Sequence, residues 1–320
     1  MDIISFKSNA LVLLDQRKLP LKEEHVRCKT YAQAAKAISS MAVRGAPAIS
    51  VAAAYGYALG IRAGKEKQAY KSLLTSRPTA VDLANALSWM RNQLPAKNPV
   101  ALAKQWENSV YEKCKKLSMH GQKLIRKNAK VMTHCNTGPL AVGRYGTALG
   151  AIAFAQAKGK APFVWAKETR PRFQGALTSW ELSKWKIRHN VVCDSAAASL
   201  MKAGEVDLVI LGADRICKNG DVANKIGTYS LAVLAKAHKI PFYVAAPTST
   251  LSGLSSGRQI KIEQRDEGEV LEVRGRRIYP KGAKAVNPAF DITPASLITA
   301  YVTENGTFRS AGALWKHTKA

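Results

Sequence analysis

Cys135 is the residue of this sequence whose setting most favours chemistry. It lies in VMTHCNTGPLAVGRYGTALG, positions 131–150, between an apolar run that predicts a strand and a loop containing Gly138 and Gly143. An Ala-rich helix is predicted after that loop, and open α/β sheets commonly form a pocket at such a strand, loop and helix. A thiol there can serve as a base or a nucleophile, although a lone cysteine at a strand end is more often inert core. The residue types alone leave both interpretations open.

Polar side chains follow the other predicted strands in the same way. They are Arg170 and Gln174 in KETRPRFQG, Asp194, Asp214 in LGADR, and Thr248 with Ser249. A carboxylate buried at the position of Asp214 can have a raised pKa and act as a general acid. Asp194 precedes an Ala-rich segment, so we expect it to cap a helix. His134 is next to Cys135, but neighbours on a strand point to opposite faces, so we do not expect these two side chains to pair.

The elements that must position these residues alternate between strand and helix. Strands are predicted at 130–134, 163–166, 191–193, 207–211 and 242–246, with helical patterns between them. Such alternation predicts right-handed βαβ units and a mostly parallel sheet that is covered on both faces, with the strand ends along one crevice. The segment 286–306 is predicted to close the domain as a loop, a helix and a strand. We therefore expect a doubly wound, Rossmann-like α/β domain at 127–320.

The preceding residues, 1–126, predict a smaller, mostly helical domain with short N-terminal strands. Arg44, Gly45, Ala46 and Pro47 form a tight turn into a helix of small residues, which would leave backbone donors beside an arginine and suit a phosphate. A plain helix start with an arginine salt bridge is the slightly favoured alternative. Arg77 precedes Pro78, which is expected early in another helix. A long amphipathic helix is predicted at 102–125.

Composition restricts the class of protein. The net charge of +27 comes from 49 basic and 22 acidic residues scattered along the chain, so solvated surface charge is favoured over a nucleic-acid footprint. The five cysteines are widely spaced and form no C-x-x-C pair, which favours reduced thiols in a cytoplasmic protein. We expect no secretory signal and no membrane span. The sequence contains neither a histidine spacing typical of metal sites nor a nucleotide-binding glycine motif, so no metal or cofactor is implied.

Seven segments together resemble one enzyme family. The segments are RGAPAI from Arg44, RPTAV from Arg77, THCNTG from Thr133, ETRPRFQG from Glu168, GADRI with NGDVANKIGTY from Gly212, PFYVAAPTST from Pro241 and NPAFDITP from Asn287. In this order they resemble the methylthioribose-1-phosphate isomerases, within a wider family that also holds ribose-1,5-bisphosphate isomerase and regulatory subunits of initiation factor 2B. NGDVANKIGTY, with Asp221 and Tyr229, resembles the methylthioribose-phosphate branch.

The resemblance implies a cofactor-free, homodimeric isomerase that converts an aldose 1-phosphate into a ketose 1-phosphate in methionine salvage. It implies that Cys135 and Asp214 are the catalytic pair. It also implies substrate contacts from the following residues: Arg44, Gly45, Ala46, Arg77, Gln174, Asn224 and Lys225. The resemblance leaves open whether Cys135 moves a proton or steadies a hydride shift.

The sequence departs from the family pattern at a few positions. Lys167 stands where an acidic residue is expected, Ser50 stands where a glycine is expected, and the segments 174–180 and 250–260 look short. These departures bear on the pocket for the 5-substituent. The alternatives are therefore an isomerase of 5-deoxyribose 1-phosphate or ribose 1,5-bisphosphate, and a non-catalytic regulatory or binding protein of the initiation-factor type.

Overall fold

A computed structural model of the chain describes residues 3–77, 80–94 and 98–318. The chain divides into two compact units, and each is contributed by two stretches of sequence. The first unit comprises residues up to Lys116 together with Thr137–Gly146, and the second comprises Leu117–Asn136 together with the residues from Thr147 onward. No helix among the described residues is both long and apolar enough to cross a bilayer.

The first unit combines a small antiparallel sheet with helices. Its strands, in the order β1-β2-β3, are β1 (Ile4–Lys7), β2 (Ala10–Leu14) and β3 (His25–Cys28). Its helices are α1 (Tyr31–Ser39), α2 (Ala46–Arg62), α3 (Glu66–Ser76), α4 (Val81–Gln93), α5 (Pro99–Gly121) and the short α6 (Pro139–Val142). α2 is buried nearly all round, as its run of Ala, Val and Ile predicts. The expected strand pair and long helix are confirmed, and the last residues of α5 belong to the second unit.

The second unit is built on a seven-stranded sheet in the order β15-β14-β10-β7-β4-β5-β6. Its strands are β4 (Lys130–Thr133), β5 (Phe163–Lys167), β6 (His189–Val192), β7 (Leu208–Leu211), β10 (Phe242–Ala245), β14 (Ala300–Thr303) and β15 (Gly306–Phe308). Neighbouring strands are parallel except for β14 and β15. The six parallel strands follow the doubly wound order, and the order reverses between β4 and β7. The predicted α/β class and all five predicted strands are confirmed.

Smaller strands and the covering helices complete the second unit. β8 (Arg215–Ile216), β9 (Val222–Lys225) and β13 (Phe290–Thr293) form an antiparallel sheet, and β11 (Glu272–Val273) pairs with β12 (Arg276–Arg277). The helices are α7 (Ala148–Ala157), α8 (Gln174–Lys184), α9 (Ala197–Lys202), α10 (Thr228–Ala237), α11 (Gly268–Leu271) and α12 (Ala311–Lys316). The expected closing loop and helix are wrong. The loop contains β13, which pairs with β9, and the helix is a single 3₁₀ turn at Ala295–Leu297.

Alternate residues of the central strands enter two different hydrophobic clusters. In β7, Leu208 and Ile210 pack with α7 residues, whereas Val209 and Leu211 pack with residues of α9 and α10. Successive side chains of a strand point to opposite faces, so this division shows that the sheet is covered on both sides. It also explains why the central strands are continuously apolar and easy to recognise in the sequence.

Truncation of Ile210 tests how much this burial stabilises the unit. Ile210 is fully buried, so Ile210→Ala is expected to lower the free energy of unfolding by about 2–5 kcal/mol through lost contacts and a residual cavity. Urea unfolding monitored by circular dichroism measures the change. The matched control is Val191→Ala on β6, because Val191 is 48% exposed and should change stability by less than about 0.5 kcal/mol. Equal effects of the two variants would contradict the two-faced core.

Candidate active site

Cys135 and Asp214 follow the carboxyl ends of two neighbouring parallel strands. β4 ends at Thr133 and β7 ends at Leu211, and these strands pair directly at the point where the strand order reverses. Crevices at such points are the usual ligand sites of doubly wound sheets. The structure therefore places the predicted pair at the same edge of the sheet.

Asp214 is exposed, so the expected burial of its carboxylate is wrong. The reason lies in the local backbone. β8 begins at the next residue, and the Asp214 N–H donates to the carbonyl of Ala223 in β9 at 3.0 Å. The small antiparallel sheet thus carries Asp214 out of the core and fixes its backbone beside Asn224.

The backbone of Cys135 is held in an unusual conformation. Its φ is +62°, in the left-handed region that residues with a Cβ seldom adopt, and its side chain is half-buried. The Cys135 N–H donates to Thr169 Oγ1 at 2.9 Å, and Thr178 Oγ1 donates to the Cys135 carbonyl at 2.7 Å. Strained backbone of this kind persists only where surrounding bonds enforce it, and it is concentrated at functional sites.

Gln174 presents a buried acceptor at the start of α8. The side chain is 4% exposed, and its Oε1 has no hydrogen-bond partner among the described residues. A buried polar atom without a partner costs free energy unless water or a ligand supplies the missing donor. The amide oxygen is therefore suited to a hydroxyl of a bound molecule.

Asn224 and Lys225 lie on β9, and both side chains donate hydrogen bonds within the protein. Asn224 Nδ2 donates to Thr228 Oγ1 at 2.9 Å, and Lys225 Nζ donates to the Ala289 carbonyl at 2.7 Å. Lys225 Nζ also lies 4.4 Å from the centroid of the Phe290 ring. These contacts fix one amide and one ammonium next to the backbone of Asp214.

In the first unit, Arg44, Gly45 and Ala46 form the turn into α2, as predicted. Arg44 Nε donates to Gln16 Oε1 at 3.1 Å. Gly45 has a φ of +88°, and a Cβ at this position would lie 2.2 Å from the Ala141 carbonyl oxygen, so only glycine fits. Among the described residues no side chain caps α2, so the start of this helix presents its first N–H groups in the arrangement that favours anions.

Arg77 lies elsewhere in the first unit, where it follows the last residue of α3. Pro78, which was expected early in a helix, lies outside the described residues, and α4 begins at Val81. Ser50, which departs from the family pattern, is buried in α2. Its hydroxyl donates to the Pro47 carbonyl at 2.7 Å and accepts from Trp106 Nε1 at 2.9 Å, so it stabilises helix packing.

A buried charged cluster behind Cys135 was missed by the sequence prediction. Lys167, the last residue of β5, is 2% exposed and lies 3.6 Å from Asp194 Oδ1. Burial lowers the pKa of Lys167, and the carboxylates of Asp194 and Asp291 oppose that shift. Burial raises the pKa of Asp291, although the backbone N–H groups of Gly227 and Tyr229 and the charge of Lys167 act against it. A lysine at a strand end is normally solvated, so only its position in an otherwise apolar strand could have indicated burial.

Asp194 does not cap a helix, which corrects the expectation from the sequence. Its Oδ1 accepts from the Thr169 N–H at 3.2 Å and its Oδ2 accepts from the Arg170 N–H at 2.7 Å. The carboxylate points back to the loop after β5 because the backbone donors there have no strand partner. The Asp194 carboxylate therefore stabilises the loop after β5.

The His134 imidazole is neutral, and both of its ring nitrogens make contacts within the same cluster. It is 1% exposed, its Nε2 lies 2.9 Å from the Ile226 carbonyl, and its Nδ1 lies 3.4 Å from Thr169 Oγ1. Burial and the charge of Lys167 lower the pKa of His134 to about 4. The prediction that His134 does not pair with Cys135 agrees with these contacts.

Two further candidates from the strand ends have structural contacts. The Arg170 guanidinium donates to the Val270 carbonyl at 2.7 Å and lies over the Phe173 ring. Thr248 bonds through its N–H and its hydroxyl to the buried carboxylate of Glu304. Both residues therefore anchor loops at the carboxyl edge.

Known proteins resemble this chain along nearly its whole length. The family model described as Initiation factor 2 subunit family matches residues 42–310. A methylthioribose-1-phosphate isomerase from Aquifex aeolicus is 53% identical over 309 residues, which cover 95% of this chain and 68% of the relative. Another methylthioribose-1-phosphate isomerase, from Carboxydothermus hydrogenoformans, is 47% identical over 97% of this chain and 96% of its own. These similarities confirm the resemblance carried by the motifs.

Solved structures share the architecture. The crystal structure of 5-methylthioribose 1-phosphate isomerase from Pyrococcus horikoshii OT3 has a TM-score of 0.94 at 35% identity, covering 99% of this chain and 96% of that chain. The crystal structure of the translation initiation factor eIF-2B, subunit delta, from A. fulgidus has a TM-score of 0.92 at 37% identity and covers 100% of both chains.

The lowered pKa of His134 predicts a loss of stability in mild acid. Between its ordinary pKa of 6.5 and its folded pKa of about 4, the unfolded chain binds a proton at this residue that the folded chain does not. The contribution of His134 is therefore complete above pH 6.5 and declines by about 3 kcal/mol as the pH falls to 4. In His134→Gln, whose amide can still donate to Ile226, urea unfolding from pH 7 to pH 4 should show a smaller decline. An unchanged pH dependence would contradict the neutral, buried histidine.

Proposed function

Because this chain belongs to the initiation factor 2 subunit family, we propose that it isomerises S-methyl-5-thio-α-D-ribose 1-phosphate to S-methyl-5-thio-D-ribulose 1-phosphate in methionine salvage. The observation that carries this proposal is the 53% identity to a named isomerase across 95% of the chain. The chain is accordingly an aldose–ketose isomerase acting on a sugar 1-phosphate. Cys135 and Asp214 follow the two strands that meet at the reversal point of the sheet, and this position supports them as the residues that perform the chemistry.

The chemistry follows from the substrate. Phosphorylation of the anomeric oxygen prevents the spontaneous ring opening of a free sugar, so an acid must protonate the ring oxygen as its bond to C1 breaks. We assign this acid role to Asp214 on the resemblance to the isomerase family and on its position at the carboxyl edge of the sheet; the assignment does not rest on burial, because Asp214 is exposed. Hydrogen must then leave C2 and arrive at C1. Cys135 either removes the C2 proton as a thiolate and returns it to C1, or stabilises a hydride that shifts directly from C2 to C1. In both routes the 2-hydroxyl loses its proton as the C2 carbonyl forms, and both end in the same ketose.

Substrate contacts are assigned to residues whose chemistry suits a sugar phosphate. The resemblance assigns Arg44, Arg77 and Lys225 as cationic substrate contacts, and it assigns the backbone at Gly45 and Ala46, at the start of α2, as a neutral one. The unpaired Gln174 oxygen accepts from a sugar hydroxyl, and Asn224 lies beside the backbone of Asp214. The proposal also includes a homodimer in the cytoplasm that needs no added cofactor.

Substitution of the catalytic pair tests the assignment. Cys135→Ser and Asp214→Asn are each expected to lower kcat on 5-methylthioribose 1-phosphate by at least about 100-fold, because each removes a group that transfers or stabilises the migrating hydrogen or proton. A coupled colorimetric assay of ketose formation measures the rate. Cys193→Ser is the matched control, since Cys193 is an exposed thiol that should be dispensable. Full activity in both pair variants would refute the mechanism.

A second candidate function is favoured by the similarity to the A. fulgidus subunit. A regulatory protein of that type would bind a partner or nucleic acid in a salt-sensitive manner and would not need Cys135. The same purified protein should be assayed with 5-methylthioribose 1-phosphate, 5-deoxyribose 1-phosphate and ribose 1,5-bisphosphate. The isomerase proposal expects kcat/KM to be highest for the methylthio compound. No turnover of any of the three, together with salt-sensitive binding, would favour the regulatory function.

A further inference from the structure

The peptide groups of Cys135 are held on both sides by threonine hydroxyls from two different elements. Thr169, in the loop after β5, accepts the Cys135 N–H at 2.9 Å, and Thr178, in α8, donates to the Cys135 carbonyl at 2.7 Å. Both threonines are fully buried. With φ at +62°, the direction of the Cys135 Cα–Cβ bond depends on these two hydrogen bonds. Their loss would let the residue relax to a negative φ and swing the thiol away.

Thr169 is itself strained and needs support. Its φ is +61°, which is a rare conformation for a β-branched residue. Asp194 supplies the support by accepting the N–H groups of Thr169 and Arg170. The Thr169 hydroxyl also lies 3.1 Å from the Lys167 carbonyl, to which it can donate while it accepts from Cys135. The loop after β5 is thereby held through its backbone N–H groups and through the hydroxyl of Thr169.

Lys167 holds Asp194 in this position. Its ammonium is 2% exposed and lies 3.6 Å from Oδ1 of Asp194, whose side chain is 29% exposed, so the lysine end of the pair is shielded from solvent and the carboxylate end is partly open to it. If the Asp194 carboxylate turned outward, the buried ammonium would lose its nearest opposite charge and would keep only the more distant support of Asp291. The lysine that departs from the family pattern therefore lies at the base of a chain of contacts through Asp194 and Thr169 to Cys135.

We propose that Thr169 and Thr178 are positioning residues that aim the Cys135 thiol, and that Asp194, paired with the buried Lys167, keeps Thr169 in place. This role rests on the proposed function, because it assumes that Cys135 acts on the substrate. None of the four residues needs to touch the substrate for the role to hold.

Removal of each hydroxyl tests the proposal. Thr169→Val and Thr178→Val preserve shape and are each expected to lower kcat by about 10- to 100-fold while KM changes less than about 3-fold, because a misdirected thiol impairs chemistry more than binding. Thr169→Ser, which retains the hydroxyl, should restore most of kcat. The matched control is Thr299→Val, because Thr299 Oγ1 accepts the Phe242 N–H at 2.9 Å at the opposite edge of the sheet. Wild-type kcat in both Thr169→Val and Thr178→Val would overturn the proposal.

The rate of thiol alkylation provides a readout that is independent of turnover. In a Cys193→Ser background the remaining cysteines other than Cys135 are buried, so iodoacetamide should react mainly at Cys135. Mass spectrometry should show a several-fold change in its rate, and a shifted pH profile, in Thr169→Val but not in Thr299→Val. An unchanged profile overturns the positioning role. Full turnover by Cys135→Ser, together with a changed Cys135 alkylation profile in Thr169→Val, would instead overturn the proposed catalytic role of Cys135 and leave its positioning by Thr169 intact.

The ion pair needs a variant that removes both charges together. Lys167→Met alone leaves the partly buried carboxylates of Asp194 and Asp291 without their cation and can unfold the protein. Lys167→Met combined with Asp194→Asn removes the cation and one carboxylate, and the variant should reproduce the reduced kcat and altered alkylation of Thr169→Val. If the double variant fails to fold, Asp194→Asn alone, which retains the lysine, should show the same pattern. Wild-type kcat and alkylation in a folded variant of either kind would overturn the role of the pair.

Discussion

The buried ammonium of Lys167 constrains the carboxyl edge of the large sheet. A charge removed from water is tolerated only where opposite charges and hydrogen bonds replace its hydration. Here the carboxylate of Asp194 lies 3.6 Å away, and that of Asp291 contributes a further favourable charge interaction. Each carboxylate also accepts two backbone N–H groups, from the loop after β5 for Asp194 and from the start of α10 for Asp291. One cation therefore orders two loops at the same edge.

The strand order explains why the proposed catalytic residues lie at that edge. Since β4 and β7 are neighbours at the reversal point, the segments that leave them diverge and open a crevice. Backbone in the crevice has lost its strand partners, so its N–H and C=O groups must bond to side chains. Thr169 and Thr178 do this for Cys135, and the small β8–β9–β13 sheet does it for Asp214. Backbone groups in the crevice have no neighbouring strand to bond to. The residues there therefore depend on side-chain hydrogen bonds.

The sequence predicted the sheet well and the local contacts of the site poorly. Continuous apolar strands such as LVIL of β7 are recognisable because burial on both faces leaves no polar alternation. The polar strand FDIT was missed because its formation depends on pairing with β9, a distant part of the chain. The burial of Asp214 and the capping by Asp194 were wrong for a related reason, since the β8 turn and the loop after β5 decide where those carboxylates point. The residues were found by type and spacing, but their contacts depend on tertiary neighbours.

Because His134 is neutral, the Cys135 thiol differs from catalytic thiols that an adjacent imidazolium activates. Beyond the end of β4 the alternation of a strand no longer applies, so adjacency alone could have allowed His134 to turn toward Cys135. Instead its ring faces Ile226, Thr169 and the Lys167–Asp194 pair, and the nearby cation disfavours a second positive charge. Because His134 does not supply an adjacent imidazolium, the orientation of the Cys135 thiol matters more to the proposed chemistry. The proposed positioning of Cys135 by Thr169, Thr178 and the Lys167–Asp194 pair supplies this orientation.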